Sequence, residues 1–424
     1  MDFSIIPGRR ISNKFKPEIK ILAINEGRLS CKIFKEESQV YEQQEFLNAS
    51  MDYQKVFINI PNNLKGNVII EVILTDEKTE LKKAFPYEIL CSEVKSTTLL
   101  DGCWLSFVHW SESEARHFNK SLRQINDLQW EEIIEDMHEQ KIYGIMIQNM
   151  FDNDEYVFEH NQGLDNYLGK AFYPSKLYSN HYTDMCANDP LEHVLAKADE
   201  LDMQVYVGVG LYAWFDFSKT SLEWHKKVAA ELYEQYGHHK SFYSFYISEE
   251  IHGSFYDTYA PTHKEEWTDV AKFFQEFADY IKELAPTKPI SFAPNNIRFH
   301  EFVDEWTRVL RNIDIILPFA FARDLEHLNI KEIQSICDTT GTHFWVDMEI
   351  FQYPLEETGL IPKSGSDLIK EIRYYDEVEN IFGYQYNGLL NNPQRDFCLG
   401  EKDTIELYNE YADYLNYRMS EMSK

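Results

Sequence analysis

The chain has 424 residues, of which 44% are hydrophobic, and its 71 acidic and 41 basic side chains give a formal net charge of -30. This charge argues against nucleic acids and anionic membranes as partners, because a phosphate-binding face needs clustered Lys and Arg. The six cysteines are widely spaced without a Cys-x-x-Cys pair, which argues against a disulfide framework or a structural zinc site.

The beginning of the sequence, "MDFSIIPGRR", does not resemble a signal peptide. It lacks a basic start followed by an apolar core, and no run of about 18 apolar residues predicts a membrane span. We therefore expect a cytoplasmic protein, with secretion as the alternative if an export signal has been removed.

Residues 1–96 are expected to form a small antiparallel β-sandwich. Apolar and polar residues alternate with a period of two in several segments, and turn signals such as "NEG" and "PNNLKG" separate them. The segments are "PEIKILAI", "RLSCKIFK", "KVFINI", "NVIIEVILTD" and "AFPYEIL". We interpret this region as an accessory domain, either structural or carbohydrate-binding.

Residues 97–424 alternate between strands and amphipathic helices, which predicts a parallel sheet. This pattern favours an α/β fold with a (β/α)8 TIM barrel, whereas a doubly wound open sheet would have fewer units. The eight predicted strands are 102–110, 143–150, 203–212, 241–248, 289–295, 313–321, 342–349 and 381–388. The long connection at 151–190 is expected to shape a pocket.

Two glutamates follow aromatic-rich strands, Glu250 after "SFYSFYIS" and Glu349 in "THFWVDME". In a barrel, chemistry is found at the carboxyl-terminal ends of the strands. Because side chains alternate along a strand, both glutamates are expected to face the central mouth, and Glu249 to point away.

Two carboxyl groups that face each other across a barrel mouth suit glycoside hydrolysis, in which one protonates the leaving oxygen and the other attacks the anomeric carbon. By position we assign Glu250 as the acid/base and Glu349 as the nucleophile. The alternative is that each merely ends a strand in a solvated loop or pairs with a basic neighbour.

The glutamates on the fourth and seventh strands resemble those of the retaining glycosidases of clan A. A closer resemblance, over roughly residues 97–390, is to a bacterial family of candidate barrel glycoside hydrolases classified as a domain of unknown function. It rests on "GCWLSFVHW", "QWEEIIEDMHEQKIYGIMIQ", "FYISEEI" and "FWVDMEIF". The resemblance implies a barrel and glycoside hydrolysis without a cofactor. The sequence departs from the clan A pattern in two places. Glu249 stands where Asn usually precedes the acid/base, and "YQYNGLL" stands where a Trp often ends strand eight.

A ring of further residues is expected to bind a carbohydrate substrate. Most are predicted because the alternation of side chains along a strand turns them towards the barrel interior at the strand ends. Trp110 and Trp214 are expected to be platforms for sugar rings, and Arg323 is expected to contact an acidic sugar. Gln148 and Asn387 are favoured because buried amides need partners. The predicted substrate-binding residues are His109, Trp110, Gln148, Tyr212, Trp214, Asn295, Arg323, Asp347, Gln385 and Asn387.

Two other functions stay open at this point. A metal-dependent barrel hydrolase would need ligands converging from several strands, for which His109 and His343 are candidates. We expect no bound metal there, and we expect His238 and His239 to be solvated at a helix end. A non-catalytic carbohydrate-binding barrel would keep the aromatic ring and tolerate loss of either glutamate. The sequence does not indicate an oligomeric state.

Overall fold

The computed structural model describes residues 1–22, 25–153, 169–177, 184–210, 217, 219–255, 270–323, 330–354 and 359–423. Within these described residues, the amino-terminal part has eight strands. They are β1 Asp2–Ile6, β2 Arg10–Ser12, β3 Glu18–Leu22, β4 Gly27–Lys35, β5 Ser38–Leu47, β6 Gln54–Phe57, β7 Gly66–Asp76 and β8 Glu80–Leu90.

These strands form two sheets, in the orders β1-β3-β6 and β2-β8-β7-β4-β5. All of their pairings are antiparallel except that of β2 with β8. The apolar positions of the alternating segments meet in one core, which includes Phe3, Ile19, Leu29, Ile70 and Tyr87. The two-sheet organisation is therefore as predicted.

The rest of the chain alternates strands and helices. Its elements up to residue 247 are β9 Gly102–Leu105, α1 Asn119–Leu122, α2 Asp127–Glu139, β10 Gly144–Ile147, β11 Phe151–Asn153, β12 Gly169–Ala171, α3 Pro190–Glu200, β13 Gln204–Gly208, α4 Lys219–Tyr236 and β14 Phe242–Ile247. Those that follow are α5 Val270–Leu284, β15 Ile290–Phe292, α6 Val303–Leu310, β16 Ile315–Ile316, α7 Ile330–Thr340, β17 His343–Phe344, β18 Val346–Glu349, β19 Phe351–Gln352, β20 Ile361–Pro362, α8 Gly365–Tyr374, β21 Ile381–Tyr384 and α9 Lys402–Ser423.

Local sequence signals explain where several of these helices begin. Asn126 and Gln129 form a capping box before α2, in which each side chain accepts a hydrogen bond from the other residue's backbone N–H. Asp189 caps α3, which starts with Pro190, and Ser364 caps α8. These caps satisfy backbone donors that a helix leaves unpaired at its first turn.

The large sheet is parallel and runs β17-β16-β15-β14-β13-β10-β9-β21-β18. Its first and last segments, β17 and β18, are consecutive in the chain and separated only by Trp345. Because β17 pairs with β16 while β18 pairs with β21, the sheet nearly closes on itself. The protein is therefore an α/β barrel with an additional β-sheet region.

Two separate apolar clusters confirm the predicted division of side chains between the two faces of the barrel strands. Tyr246 and Trp345 belong to a cluster inside the barrel. Phe245, Phe344 and Val346 belong to the cluster under the helices. The alternation in strands four and seven therefore has the predicted phase.

The amino-terminal region closes the bottom of the barrel. Ile6 is fully buried and belongs to the cluster inside the barrel. The Tyr243 hydroxyl donates to the carbonyl oxygen of Ile5 at 2.7 Å, and Arg10 pairs with Asp101 at 2.9 Å. The predicted domain division between residues 96 and 97 stays a prediction, and these contacts join the two regions across it.

The observed barrel strands are shorter than the predicted ones, and β1, β2, β5 and the hairpins β11–β12 and β19–β20 were not predicted from the sequence. Strand β5 lies at a sheet edge and is mostly exposed on both faces, so its sequence shows no apolar alternation. Among the helices of the described residues, we find none that is both long and apolar enough to span a membrane.

Candidate active site

A cavity of about 140 Å³ lies at the carboxyl-terminal end of the barrel sheet. Acidic and aromatic side chains dominate its wall. The lining residues are Trp104, Trp110, Glu114, Gln148, Tyr246, Ser248, Glu249, Glu250, Ala293, Phe319, Arg323, Asp347, Glu349, Phe351, Tyr353, Leu360 and Tyr384.

Glu250 and Glu349 both line this cavity, as expected from their positions after strands four and seven. Glu349 is the last residue of β18, and Glu250 follows the end of β14 by three residues. The strand order places four other strands, β13, β10, β9 and β21, between them around the sheet. The two carboxyl groups therefore reach one cavity from well-separated parts of the barrel wall.

Glu349 is buried and forms an ion pair with Arg323, which follows strand β16 and lines the same cavity. Burial raises the pKa of Glu349 above its usual value, while the guanidinium of Arg323 opposes that shift. The predicted contact of Arg323 with an acidic sugar stays a prediction, but its observed partner is a carboxylate of the protein. This pairing favours the charged form of Glu349.

Asp347 is a further carboxyl group in the cavity wall, and it is buried two residues before Glu349 on the same strand face. Its Oδ1 atom has no hydrogen-bond partner among the described residues. Burial raises the pKa of Asp347 well above its usual range, and the nearby charges of Glu349 and Glu250 add to the effect. Folding therefore favours the protonated form of Asp347.

Replacement of Asp347 by Asn is expected to stabilise the protein at about pH 8. Because burial raises the pKa of Asp347 in the folded protein above its pKa in the unfolded chain, the stability linked to Asp347 is complete below about pH 4 and is lost as the pH rises through the folded pKa. The variant should raise Tm by about 2 °C or more at about pH 8, and the difference should shrink below about pH 4. Thermal unfolding at both pH values measures this.

The exposed Asp413 in α9 provides the matched control, because Asp413→Asn also removes one acidic group. Its Tm difference from the unmodified protein should be small and should not follow the same pH dependence. A decrease in Tm at high pH for Asp347→Asn would show that the charged carboxylate is the favoured form in the folded protein.

Glu249 directs its carboxyl group towards the helix layer, as the strand periodicity predicts. Its Oε1 lies 3.5 Å from Nε2 of His225 on α4, and both side chains are fully buried. Burial lowers the pKa of His225 to about 4. The sequence "SEE" therefore sends its two carboxyl groups in different directions.

Among the predicted substrate-binding residues, Trp110, Gln148, Arg323 and Asp347 line the cavity. The Oε1 atom of Gln148 is buried and has no hydrogen-bond partner among the described residues. This acceptor, like Asp347, is placed where a ligand hydroxyl could satisfy it.

His109 lies behind the cavity wall. Its ring stacks on Trp110 with centroids 5.4 Å apart, and Nε2 lies 3.2 Å from the Tyr384 hydroxyl. Burial lowers the pKa of His109 to about 4, so the ring is neutral at physiological pH. Its position suits the support of two aromatic cavity residues.

The structure does not bring Asn295, Gln385 or Asn387 to the cavity, which corrects the positions expected from parity. Asn387 is fully buried and exchanges two hydrogen bonds with the backbone of Ser106, and Gln385 bonds to the Ser106 hydroxyl and the Asn387 carbonyl. Asn295 accepts a hydrogen bond from the backbone N–H of Ile297. Their amides thus stabilise the chain beyond the strand ends.

Tyr212 and Trp214 lie outside the described residues, as does most of the connection at 151–190. His343 hydrogen-bonds to Glu379 at 2.7 Å, at the opposite end of its strand from Glu349. His109 and His343 are therefore not neighbours.

Several residues of the cavity wall were not predicted from the sequence, notably Glu114, Tyr353 and Tyr384. Glu114 accepts a hydrogen bond from the Tyr353 hydroxyl at 3.1 Å, and burial raises the pKa of Glu114. Glu114 and Tyr353 come from loops without periodicity. The parity predicted for strand eight selected Gln385 and Asn387, but Phe382 packs inside the barrel, so Tyr384, the last residue of β21, has the inward parity.

Together these features define an α/β-barrel protein with an acidic, aromatic-lined cavity at the carboxyl ends of its strands, the usual place for a barrel active site. The chain belongs to the family described as Domain of unknown function (DUF4434), whose family model matches residues 100–396. Comparison with curated protein sequences gives no match.

Solved structures resemble this chain at low sequence identity. A candidate alpha-L-fucosidase from Bacteroides thetaiotaomicron VPI-5482 is 15% identical with a TM-score of 0.53, and the match covers 75% of this chain and 95% of that one. A beta-D-glucuronidase for Dictyoglomus thermophilum is 13% identical with a TM-score of 0.43, covering 99% of this chain and 68% of that one. The first of these likenesses supports the barrel fold.

Proposed function

We propose that this protein is a glycoside hydrolase that cleaves O-glycosidic bonds of an oligo- or polysaccharide with Glu250 and Glu349. The observation that carries the proposal is the convergence of both glutamates on one cavity at the carboxyl ends of the barrel strands. The two-carboxylate arrangement is what hydrolysis of a glycosidic bond requires.

In the proposed retaining mechanism, a Glu349 oxygen attacks the anomeric carbon while the bond to the leaving oxygen breaks and Glu250 gives its proton to that oxygen. Water then attacks the same carbon and transfers a proton to Glu250, and the bond to Glu349 breaks. The Arg323 ion pair supports the nucleophile assignment, because it favours an ionised Glu349.

The remaining cavity residues are proposed to hold the sugar. Trp110, Tyr353 and Tyr384 offer aromatic faces to the C–H surface of a sugar ring, and Gln148 and Asp347 offer buried polar atoms to its hydroxyls. In this proposal β17 and β18, the segments on either side of Trp345, count as one strand, so the large sheet has eight strands and forms a (β/α)8 barrel.

The experiment that tests the function is a panel of aryl glycosides and oligosaccharides with the native protein, followed by NMR of the first product formed. We expect turnover of at least one glycoside and release of a sugar with the anomeric configuration of the substrate. An inverted product would contradict the retaining mechanism. Binding of sugars without any turnover would instead favour a carbohydrate-binding barrel.

A further inference from the structure

Two adjacent histidines lie at the opposite end of the barrel from the cavity. His238 and His239 fall in the short connection between α4 and β14, just before strand four begins. The sequence predicts that both are solvated, but the structure corrects this for His239, which is buried. Its burial is explained by contacts with the neighbouring helix α3.

Glu192 of α3 completes a group of three side chains with metal-ligating atoms. One such atom from each of Glu192, His238 and His239 lies within 4.8 Å of the other two. The distance from His239 Nε2 to Glu192 Oε2 is 3.1 Å. Tetrahedral zinc with bonds of about 2.0–2.1 Å holds neighbouring ligand atoms about 3.3 Å apart, so Glu192 and His239 already have nearly the required spacing, and a rotation of the exposed His238 side chain would complete it.

A second carboxylate orients His239 from behind. Asp199 Oδ2 lies 2.8 Å from His239 Nδ1, and Asp199 Oδ1 accepts a 2.7 Å hydrogen bond from the backbone N–H of Ser241. Asp199 is thus itself fixed and holds the ring so that Nε2 points towards Glu192. Carboxylates in this position orient metal-bound histidines in many proteins.

We propose that Glu192, His238 and His239 form a site for a divalent transition-metal ion such as Zn²⁺, with Asp199 as the positioning residue. Two imidazoles and one carboxylate suit this metal class and leave the fourth tetrahedral position for water. The ion would connect α3 to the turn that precedes β14. The site is remote from the cavity and does not depend on the proposed glycosidase activity.

Titration of the metal-free full-length protein with Zn²⁺ by isothermal calorimetry tests the proposal. We expect one ion per chain with a rise in Tm on binding, and His238→Ala and Glu192→Gln should each weaken the affinity at least tenfold, as a rough minimum. His238 is exposed and Glu192 is partly exposed, so circular dichroism should show that both variants fold.

His193 provides the matched control, because it is a partly exposed histidine of α3 whose Nδ1 contacts Glu131 instead. His193→Ala should bind Zn²⁺ as the unmodified protein does. The proposal is overturned if the native protein binds no Zn²⁺, or if its affinity is unchanged in both His238→Ala and Glu192→Gln.

Discussion

Replacing Glu349 by Gln is expected to lower kcat/KM by at least about 10³-fold on whichever glycoside the protein cleaves. The amide keeps the shape of the side chain but cannot act as a nucleophile or carry the charge that Arg323 pairs with. Glu250→Gln should lower kcat/KM by about 10²- to 10⁴-fold because the acid/base is lost. The decrease should be smaller for substrates whose leaving group needs no proton. Steady-state kinetics with activated and unactivated aryl glycosides measures both effects.

The exposed Glu305 of α6 provides the matched control, and Glu305→Gln should leave the kinetics unchanged. Both active-site variants should fold and still bind the sugar, since neither change removes the aromatic wall. If either Glu250→Gln or Glu349→Gln kept more than half of the native activity, the assignment of that glutamate would be wrong.

The largest expected effect on stability comes from Arg10, which joins the amino-terminal region to the barrel. Its guanidinium pairs with the buried Asp101 at 2.9 Å and donates at 2.7 Å to the carbonyl oxygens of Leu100 and Lys141. Arg10→Ala would leave Asp101 buried without its cationic partner, which costs about 3–5 kcal/mol. Urea unfolding followed by circular dichroism should show this loss in the free energy of unfolding.

Arg311 is exposed at the end of α6, and Arg311→Ala should change the free energy of unfolding by less than about 0.5 kcal/mol. An equally small change for Arg10→Ala would mean that the ion pair with Asp101 contributes nothing to the connection between the two regions.

The strand pattern was sufficient to predict much of the site. In a strand, alternate residues face the same side, so Asp347 and Glu349 follow from the phase of their strand once the barrel is recognised. The same periodicity separates Glu249 from Glu250, and the structure turns Glu249 towards His225 on the helix side. These positions depend only on local geometry.

Parity failed in strand eight because the predicted phase was wrong. Phe382 packs inside the barrel and Tyr384 lines the cavity, so Gln385 and Asn387 do not have the inward parity of β21. The side chain of Asn387 instead satisfies the backbone of Ser106. Glu114 and Tyr353 could not be predicted at all, because loop residues without periodicity reach the cavity only through the tertiary fold.

The amino-terminal contacts with the barrel were also beyond sequence reasoning. Ile6 is one apolar residue among many in the sequence, and nothing local shows that it packs inside the barrel. Likewise, His239 follows a helix end that would normally be solvated, and its burial depends on Glu192 and Asp199 from another helix.

The most direct test of the central claim is to trap the covalent intermediate on the enzyme. The 2-deoxy-2-fluoro analogue of the best aryl glycoside slows both chemical steps, and with a good leaving group the glycosyl-enzyme accumulates. Peptide mass spectrometry should then find one added sugar on Glu349. A label on a different residue, or none while the parent glycoside is still hydrolysed, would contradict the account.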